Sequence, residues 1–417
     1  MIKEIYGGRQ MKKYLNLLRN HNFLLYIIGQ IVSRFCDSCF KIVLFWYLAN
    51  LPDAFDSIAV TLLVAYLPQM LVGLLGGYIV DRFDRRKAMI LSDGLSAVIL
   101  FGFYLFARVK LLSMTVILIT RFGLSLMDTL YSPAATAYIP RIVDKHDLVN
   151  ANSLFAIIAE VTTIASTAVA GFILSIIGFE KIIFINCVAY AFAAFMIFLI
   201  PVDGKAEASE EDEKFDFKAV TSGFRYAFGD TFVWQFIVLI FLTNITSDVF
   251  YNLTSLYTID VLNAKAEIYG VIQTAISAGM LVSTTLVGML NLKKAGRLLV
   301  MGFLISGTVM VMLGITGNIP VAIILFFFYS FGDALGIPCF TYLQLHVPDG
   351  LKGRVFAAFD TLVLFAGPVS SLIISTVAKS LGVASTYIIN GAVMVLAFIA
   401  AVFMKGIKTA VLEEGTN

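Results

Sequence analysis

The chain has 417 residues, 59% of them hydrophobic and 14% charged, with a mean hydropathy of +0.89. That composition excludes an ordinary water-soluble globular protein, because apolar runs of bilayer length recur almost end to end. The formal charge of +2, spread over dispersed basic residues, excludes a nucleic-acid-binding surface.

At the start, Met11 followed by Lys12 and Lys13 reads as a second possible beginning, with residues 1–10 an extension without structure. No cleaved signal peptide is expected, since the run from Phe23 is long and followed by further runs. Twelve runs are each long enough to cross a hydrocarbon core of ~30 Å. In the first half they cover about 23–48, 57–80, 88–107, 112–135, 151–177 and 181–201; in the second, about 231–259, 267–290, 297–316, 319–343, 354–378 and 382–404. The expected fold is all-α, with twelve transmembrane helices in two six-helix bundles. Residues 1–202 form the N-terminal bundle, 203–230 a cytoplasmic linker and 231–417 the C-terminal bundle. The stretch "DGKAEASEEDEKFDF" makes that linker acidic and solvated.

Loops on the side of the N-terminus contain Arg82, Arg85, Arg86, Lys87, Arg141, Lys145, Lys293, Lys294, Arg297, Lys352 and Arg354. The opposite loops contain Arg108, Lys110, Lys181, Lys265 and Lys379. This bias places both termini in the cytoplasm. Cys36, Cys39, Cys187 and Cys339 lie in apolar runs without a second ligand pair, and His21, His146 and His346 have no ligand spacing. No metal site, cofactor or enzymatic centre is therefore expected.

The two halves show a faint repeat. Offset by 205 residues, "MDTLYSPAATAYIP" falls beside "GDALGIPCFTYLQL", matching Asp128 to Asp333 and Pro133 to Pro338. Offset by 211, "SRFCDSCFKIVLFWYL" falls beside "NITSDVFYNLTSLYTI", matching Asp37 to Asp248. Equivalent acids in two halves fit a pseudo-twofold transporter with a site near the bilayer midplane.

The segment "GGYIVDRFDRRKAMILSD" joins the second and third runs. It resembles the signature loop of the major facilitator superfamily through Gly77, Asp81, Arg82, Arg85 and Arg86, with Asp84 where the family pattern has a second Gly. Gly77 permits close helix approach, and Asp81 can pair with basic groups or cap a helix end. A gating role is expected for these five residues and for Asp333; the alternative is that the basic cluster only fixes topology. The counterpart "GMLNLKKAGR" keeps the basic residues and lacks the acid, so gating is expected to be asymmetric. Over nearly the whole chain, through "SRFCDSCFKIVLFWYL", "SPAATAYIPRIVDKHDLVNANSL" and "LKGRVFAAFD", the sequence resembles the branch that holds macrolide-efflux proteins and the enterobactin exporter. The resemblance implies proton-driven efflux of drugs or siderophores. The Gly-Pro motif of drug antiporters is absent from "ASTAVAG" in the fifth run, while Gly367 and Pro368 stand in the eleventh.

An ionisable side chain at bilayer depth costs about 2.5–3.5 kcal/mol on insertion scales, so each requires a reason. Arg34, Asp37 and Lys41 share one helix face, either as a structural ion pair or with Asp37 as a proton site. Arg121 and Asp128 share a face of the fourth run, and Arg121 falls where the resembled antiporters have their fourth-span arginine. Asp128 is a gate or a proton carrier. Glu160 is a protonation candidate or a headgroup-facing acid, and Asp248, among Asn244, Thr246, Ser247 and Asn252, is expected to face the cavity. Asp360 fits a hydrated gate or a cap. Phe45, Trp46, Phe250, Tyr251 and Tyr257 are candidate substrate-binding walls, with Phe35 and Phe40 beside them. Small-residue faces at Gly171 with Ser166 and at Gly279 with Ser283 are, by the resemblance, expected to slide at the interface between bundles.

No nucleotide-binding loop is present in the sequence. The expected protein is a monomeric secondary transporter of the cell membrane, exchanging protons for a small amphipathic substrate by alternating access within the lipid bilayer. A lysophospholipid flippase or an uptake permease of the same fold is the alternative transporter. A non-transporting membrane receptor is the alternative of another class.

Overall fold

The computed structural model describes residues 17–82, 84–144, 147–202, 217–289, 293–348 and 351–412. The expected extension at residues 1–10 and the acidic part of the linker lie outside them, as does His146. The described residues form helices and no strand. The first half contains α1 (His21–Ala49), α2 (Ala54–Arg82), α3 (Arg85–Arg108), α4 (Met114–Ile142), α5 (Leu148–Ile177) and α6 (Phe179–Phe198). After α7 (Phe217–Gly229) come α8 (Thr231–Leu256), prolonged by a π-helical turn over Tyr257–Val261, then α9 (Ala266–Met289) and α10 (Ala295–Ile315). The tenth run is broken into α11 (Ile319–Ala334) and α12 (Ile337–His346). The eleventh comprises α13 (Lys352–Leu364), α14 (Ala366–Ile373) and a π-helical turn over Ile374–Ala378; α15 (Lys379–Phe403) and α16 (Lys405–Thr409) follow.

Each of the twelve predicted runs falls on helix. Ten stretches among the described residues are long and apolar enough to cross a membrane. The last of these, Lys352–Phe403, has 52 residues, more than twice the ~20 that one crossing needs, and Gly382 breaks it at φ 82°, ψ 167°. Side chains that would be core in water point outward instead: Ile176 is 79% exposed and Phe403 74%. Only a hydrocarbon solvent accommodates such a surface.

Helix starts follow from local capping chemistry. Ser113 accepts from the Val116 N–H at 3.3 Å, and Asn318 from the Val321 N–H at 3.2 Å. Asp230 accepts from the N–H groups of Phe232 and Val233, both at 2.9 Å, and its second oxygen lies 3.0 Å from His346 Nε2. Partial burial pushes the Asp230 carboxyl up, but the Val233 N–H, the His346 ring and the Phe232 N–H together hold it below the ordinary carboxylate value. A depressed folded-state value stabilises the fold fully above the unfolded value near ~3.9, and that contribution is lost as pH falls through the folded value. Asp230→Ala should therefore lower stability by about 1 kcal/mol at neutral pH. The deficit should shrink as the pH is taken below about 4, which melting of the two proteins across pH would follow.

By their contacts the residues divide into two compact units, Met1–Leu44 with Val64–Asp212, and Phe45–Leu63 with Glu213–Asn417. In the first unit, Phe23, Tyr26 and Ile27 of α1 pack with Met89 of α3, Tyr138 and Ile142 of α4, and Ala151 of α5. Polar groups are satisfied inside this apolar mass: Asn20 Nδ2 donates to the Ile142 carbonyl at 2.9 Å and the Tyr138 hydroxyl to the Val202 carbonyl at 2.8 Å.

In the second unit, Phe250 is fully buried and stacks on Tyr329, ring centroids 3.7 Å apart, with Phe326 and Tyr387 around it. Backbones approach closely at glycines, as membrane helices without a hydrophobic drive toward one another require. Gly307 of α10 lies against Gly391 of α15, and Gly302 of α10 against Gly332 of α11. Gly279 of α9 lies against the Phe327 carbonyl of α11, and Ser283 Oγ donates to the Ser330 carbonyl at 3.1 Å. The Gly279/Ser283 face is thus packed inside its own unit. Part of the expected linker is the helix α7, whose Gly223 and Ala227, one turn apart, are buried; Gly223 abuts the Arg354 carbonyl of α13.

Candidate functional site

A cavity of about 320 Å³ lies within the first unit, lined from α1, α3, α4, α5 and α6. Its charged lining is Arg34, Asp37, Lys41, Asp93 and Asp128, and its rings are Tyr26, Tyr131, Phe155 and Tyr190. The i, i+4 spacing on α1 brings Lys41 Nζ to 2.7 Å from Asp37 Oδ2, and the Tyr190 hydroxyl donates to Asp37 as well. Asp37 thus has two donors, one from its own helix and one from α6. Arg34 does not complete a triad with them. Its guanidinium lies over the Phe155 ring, 5.1 Å from the centroid, and its Nε is 3.4 Å from Gln30 Oε1. Gln30 Nε2 in turn donates to the Tyr131 hydroxyl at 2.5 Å. Arg121 stands within electrostatic reach of Asp128 and Lys41, and its buried Nε has no hydrogen-bond partner among the described residues.

The second unit has a cavity of about 230 Å³ of different character, lined by Thr243, Asn244, Ser247, Ser306, Asp333 and apolar neighbours. Tyr251 donates to Asp333 Oδ2 at 3.1 Å, while Asp333 Oδ1 and Ser306 Oγ are buried without a partner among the described residues. Asp128 and Asp333, matched in the sequence repeat, each line the cavity of their own unit. Asp248 is half-buried and receives a 3.4 Å hydrogen bond from Ser370.

The other predicted residues are distributed differently. Phe250 lies in the aromatic core described above, and the Tyr257 hydroxyl donates to the Leu313 and Thr316 carbonyls at 2.9 and 3.1 Å, so both are held by packing. Trp46, half-buried in the second unit, stacks on Tyr269 at 5.4 Å; Phe45 is half-buried beside it, and nearby in the chain Asp56 pairs with Lys379. Asp360 is exposed. Glu160 lies on α5, and Gly77, Asp81 and Arg82 on α2, where side chains are outside the described ones.

The signature loop is nonetheless informative at its second half. Asp84 accepts from the Lys87 N–H at 3.1 Å and caps α3, which is how an acid serves where the family pattern has glycine. Arg85 donates to the Ala137 carbonyl of α4 at 3.3 Å. Arg86 donates to the Ile197 and Phe198 carbonyls at the end of α6, at 3.3 and 2.6 Å. Both arginines therefore sit on carbonyls toward the C-terminal ends of α4 and α6, where the helix dipole is negative.

Asp93, Gln30, Tyr131, Tyr190 and Phe155 were not singled out by sequence reasoning. Asp93 is an acid in the middle of a predicted span, and the cost of burying charge that marks Asp37 marks it equally. The aromatic residues carry no such signal, because most rings in a membrane chain pack or face lipid.

Known proteins share this architecture and sequence pattern. MFS-type transporter YvqJ of Bacillus subtilis (strain 168) is 21% identical over 388 residues, covering 91% of this chain and 90% of its own length. Macrolide efflux protein A of Streptococcus pyogenes is 21% identical over 395 residues, covering 92% and 96%. The fold matches the crystal structure of nucleoside transporter NupG at a TM-score of 0.74 and 10% identity, covering 92% of this chain and all of that one. It matches the inward-open xylose transporter XylE from E. coli at 0.66 and 16% identity, covering 92% and 95%. The sequence profile of the Major Facilitator Superfamily matches residues 26–371, and the chain belongs to that superfamily of multi-pass membrane transporters.

Proposed function

We propose that the chain is a proton-coupled exporter of amphipathic small molecules, working as a monomer in the cytoplasmic membrane with both termini in the cytoplasm. The observation that carries this reading is the first unit's cavity, in which the ion-paired Asp37, two further acids and aromatic walls share one space. Aromatic walls suit an amphipathic solute that must also leave, and ionisable groups inside a membrane transporter suit ion relays. Likeness to a macrolide efflux protein over nearly the full length supports the export direction and the substrate class.

In this reading Asp128 carries the coupling proton, with the Arg121 guanidinium within electrostatic reach of it. Asp37, bound to Lys41 and Tyr190, keeps the cavity's charge balanced while Asp128 changes state. Asp333, with one oxygen held by Tyr251, gates the second unit or carries a proton there. The chain is organised as the bundles 1–202 and 231–417 around the linker 203–230, with twelve crossings, and the paired acids serve alternating access between them.

Purified protein in liposomes under an imposed pH gradient tests this through uphill flux of erythromycin. Asp128→Asn should abolish uphill flux and spare downhill exchange. If wild-type flux ignores the gradient, proton coupling is wrong. If erythromycin does not move but a labelled lysophospholipid crosses leaflets, the flippase reading replaces this one.

A further inference from the structure

Asp93 sits on α3 in the wall of the first unit's cavity, and only 4% of it is exposed. Its Oδ2 has no hydrogen-bond partner among the described residues. The other charges of the cavity have partners of their own. Asp37 is bound by Lys41 and Tyr190; Arg34 lies on Phe155 and meets Gln30; Asp128 has Arg121 within reach. Asp128, a charge of the same sign, lines the same cavity. A buried carboxylate oxygen facing a cavity without a donor is costly, and the cost is relieved when a cation enters.

The surroundings specify what kind of cation. Tyr26, Tyr131 and Phe155 line the same space, and rings around a carboxylate favour a nitrogen cation with an apolar body over a hydrated metal ion. A volume of about 320 Å³ is in the range of small-molecule sites.

We propose that the first unit's cavity binds the cationic nitrogen of an amphipathic substrate, with Asp93 as counter-ion and Tyr26, Tyr131 and Phe155 as walls. The site rests on the reading of the chain as a carrier of amphipathic molecules, but it concerns binding and needs neither a gradient nor a direction. The flux assay and the binding assay can therefore fail independently.

The test is equilibrium binding of radiolabelled tetraphenylphosphonium, a permanent cation, to the full chain in lipid nanodiscs, with empty nanodiscs subtracted. One saturable site is expected. Asp93→Asn should weaken it at least about tenfold, while Asp93→Glu keeps affinity close to wild type. On the wild-type protein, phenyltrimethylammonium should displace the label and benzenesulfonate at equal concentration should not. Unchanged affinity in Asp93→Asn, absence of a saturable site, or equal displacement by the anion would overturn the proposal. The displacement pair decides the matter even if Asp93→Asn fails to fold.

Discussion

Gly391→Val should remove most of the folded protein from detergent extracts, by size-exclusion chromatography and by melting of what survives. A Cβ at Gly391 would stand 2.6 Å from the Gly307 carbonyl oxygen, 2.7 Å from Val311 Cγ2 and 2.8 Å from Val311 N. From the other side, a Cβ at Gly307 would stand 2.8 Å from the Gly391 carbonyl. Two of the three obstacles at Gly391 are backbone, which cannot rotate aside as a side chain does, so α10 and α15 must separate. The expected cost is about 3 kcal/mol or more, the upper end for overpacking, against a total stability of roughly 5–15 kcal/mol. Gly102 on α3 is the control, because nothing lies within 4 Å of the Cβ it would gain. Gly102→Ala should melt at or slightly above wild type, since alanine restricts the unfolded chain. If Gly391→Val melts with wild type, α10 and α15 do not pack through this pair.

Asp37→Asn should destabilise the protein by about 2 kcal/mol, and adding Lys41→Met should restore most of the loss. The single change strands Lys41 in a cavity that already holds Arg34, with Arg121 in reach; the second change removes the stranded charge. The magnitude is set below that of a fully buried pair because the Lys41 side chain is 44% exposed and that of Asp37 16%. A double-mutant cycle on melting should give a coupling of about 1–3 kcal/mol. Additive effects would mean that the 2.7 Å contact contributes nothing and that Asp37 is there for transport alone.

The all-helical membrane fold was legible because a bilayer imposes one length and one polarity on every crossing, which composition and spacing display directly. The breaks were less so. The interruption between α11 and α12 and the π-helical turn at Tyr257–Val261 depend on packing between helices, which no single run records. Asp37 with Lys41 could be read from helical spacing alone, whereas the cap that Asp84 forms on α3 was not read from the sequence. Phe250 could not be sorted from a cavity wall, because an aromatic that stacks on Tyr329 and one that meets a solute have the same local sequence. Asp333 was legible as an acid matched to Asp128, but its hydrogen bond to Tyr251 joins residues 82 positions apart.

The four cysteines are all reduced thiols, and three of them are buried, with Cys39 Sγ on the Ser166 carbonyl and Cys187 Sγ on the Ala97 carbonyl. Toward a water-soluble maleimide the native chain is therefore a nearly silent background, with Cys36 the one partly accessible thiol to remove. A single cysteine placed at Ser132 or Thr136, both on the cavity wall, would then report by its labelling rate which face of the membrane reaches the site at each stage of the cycle.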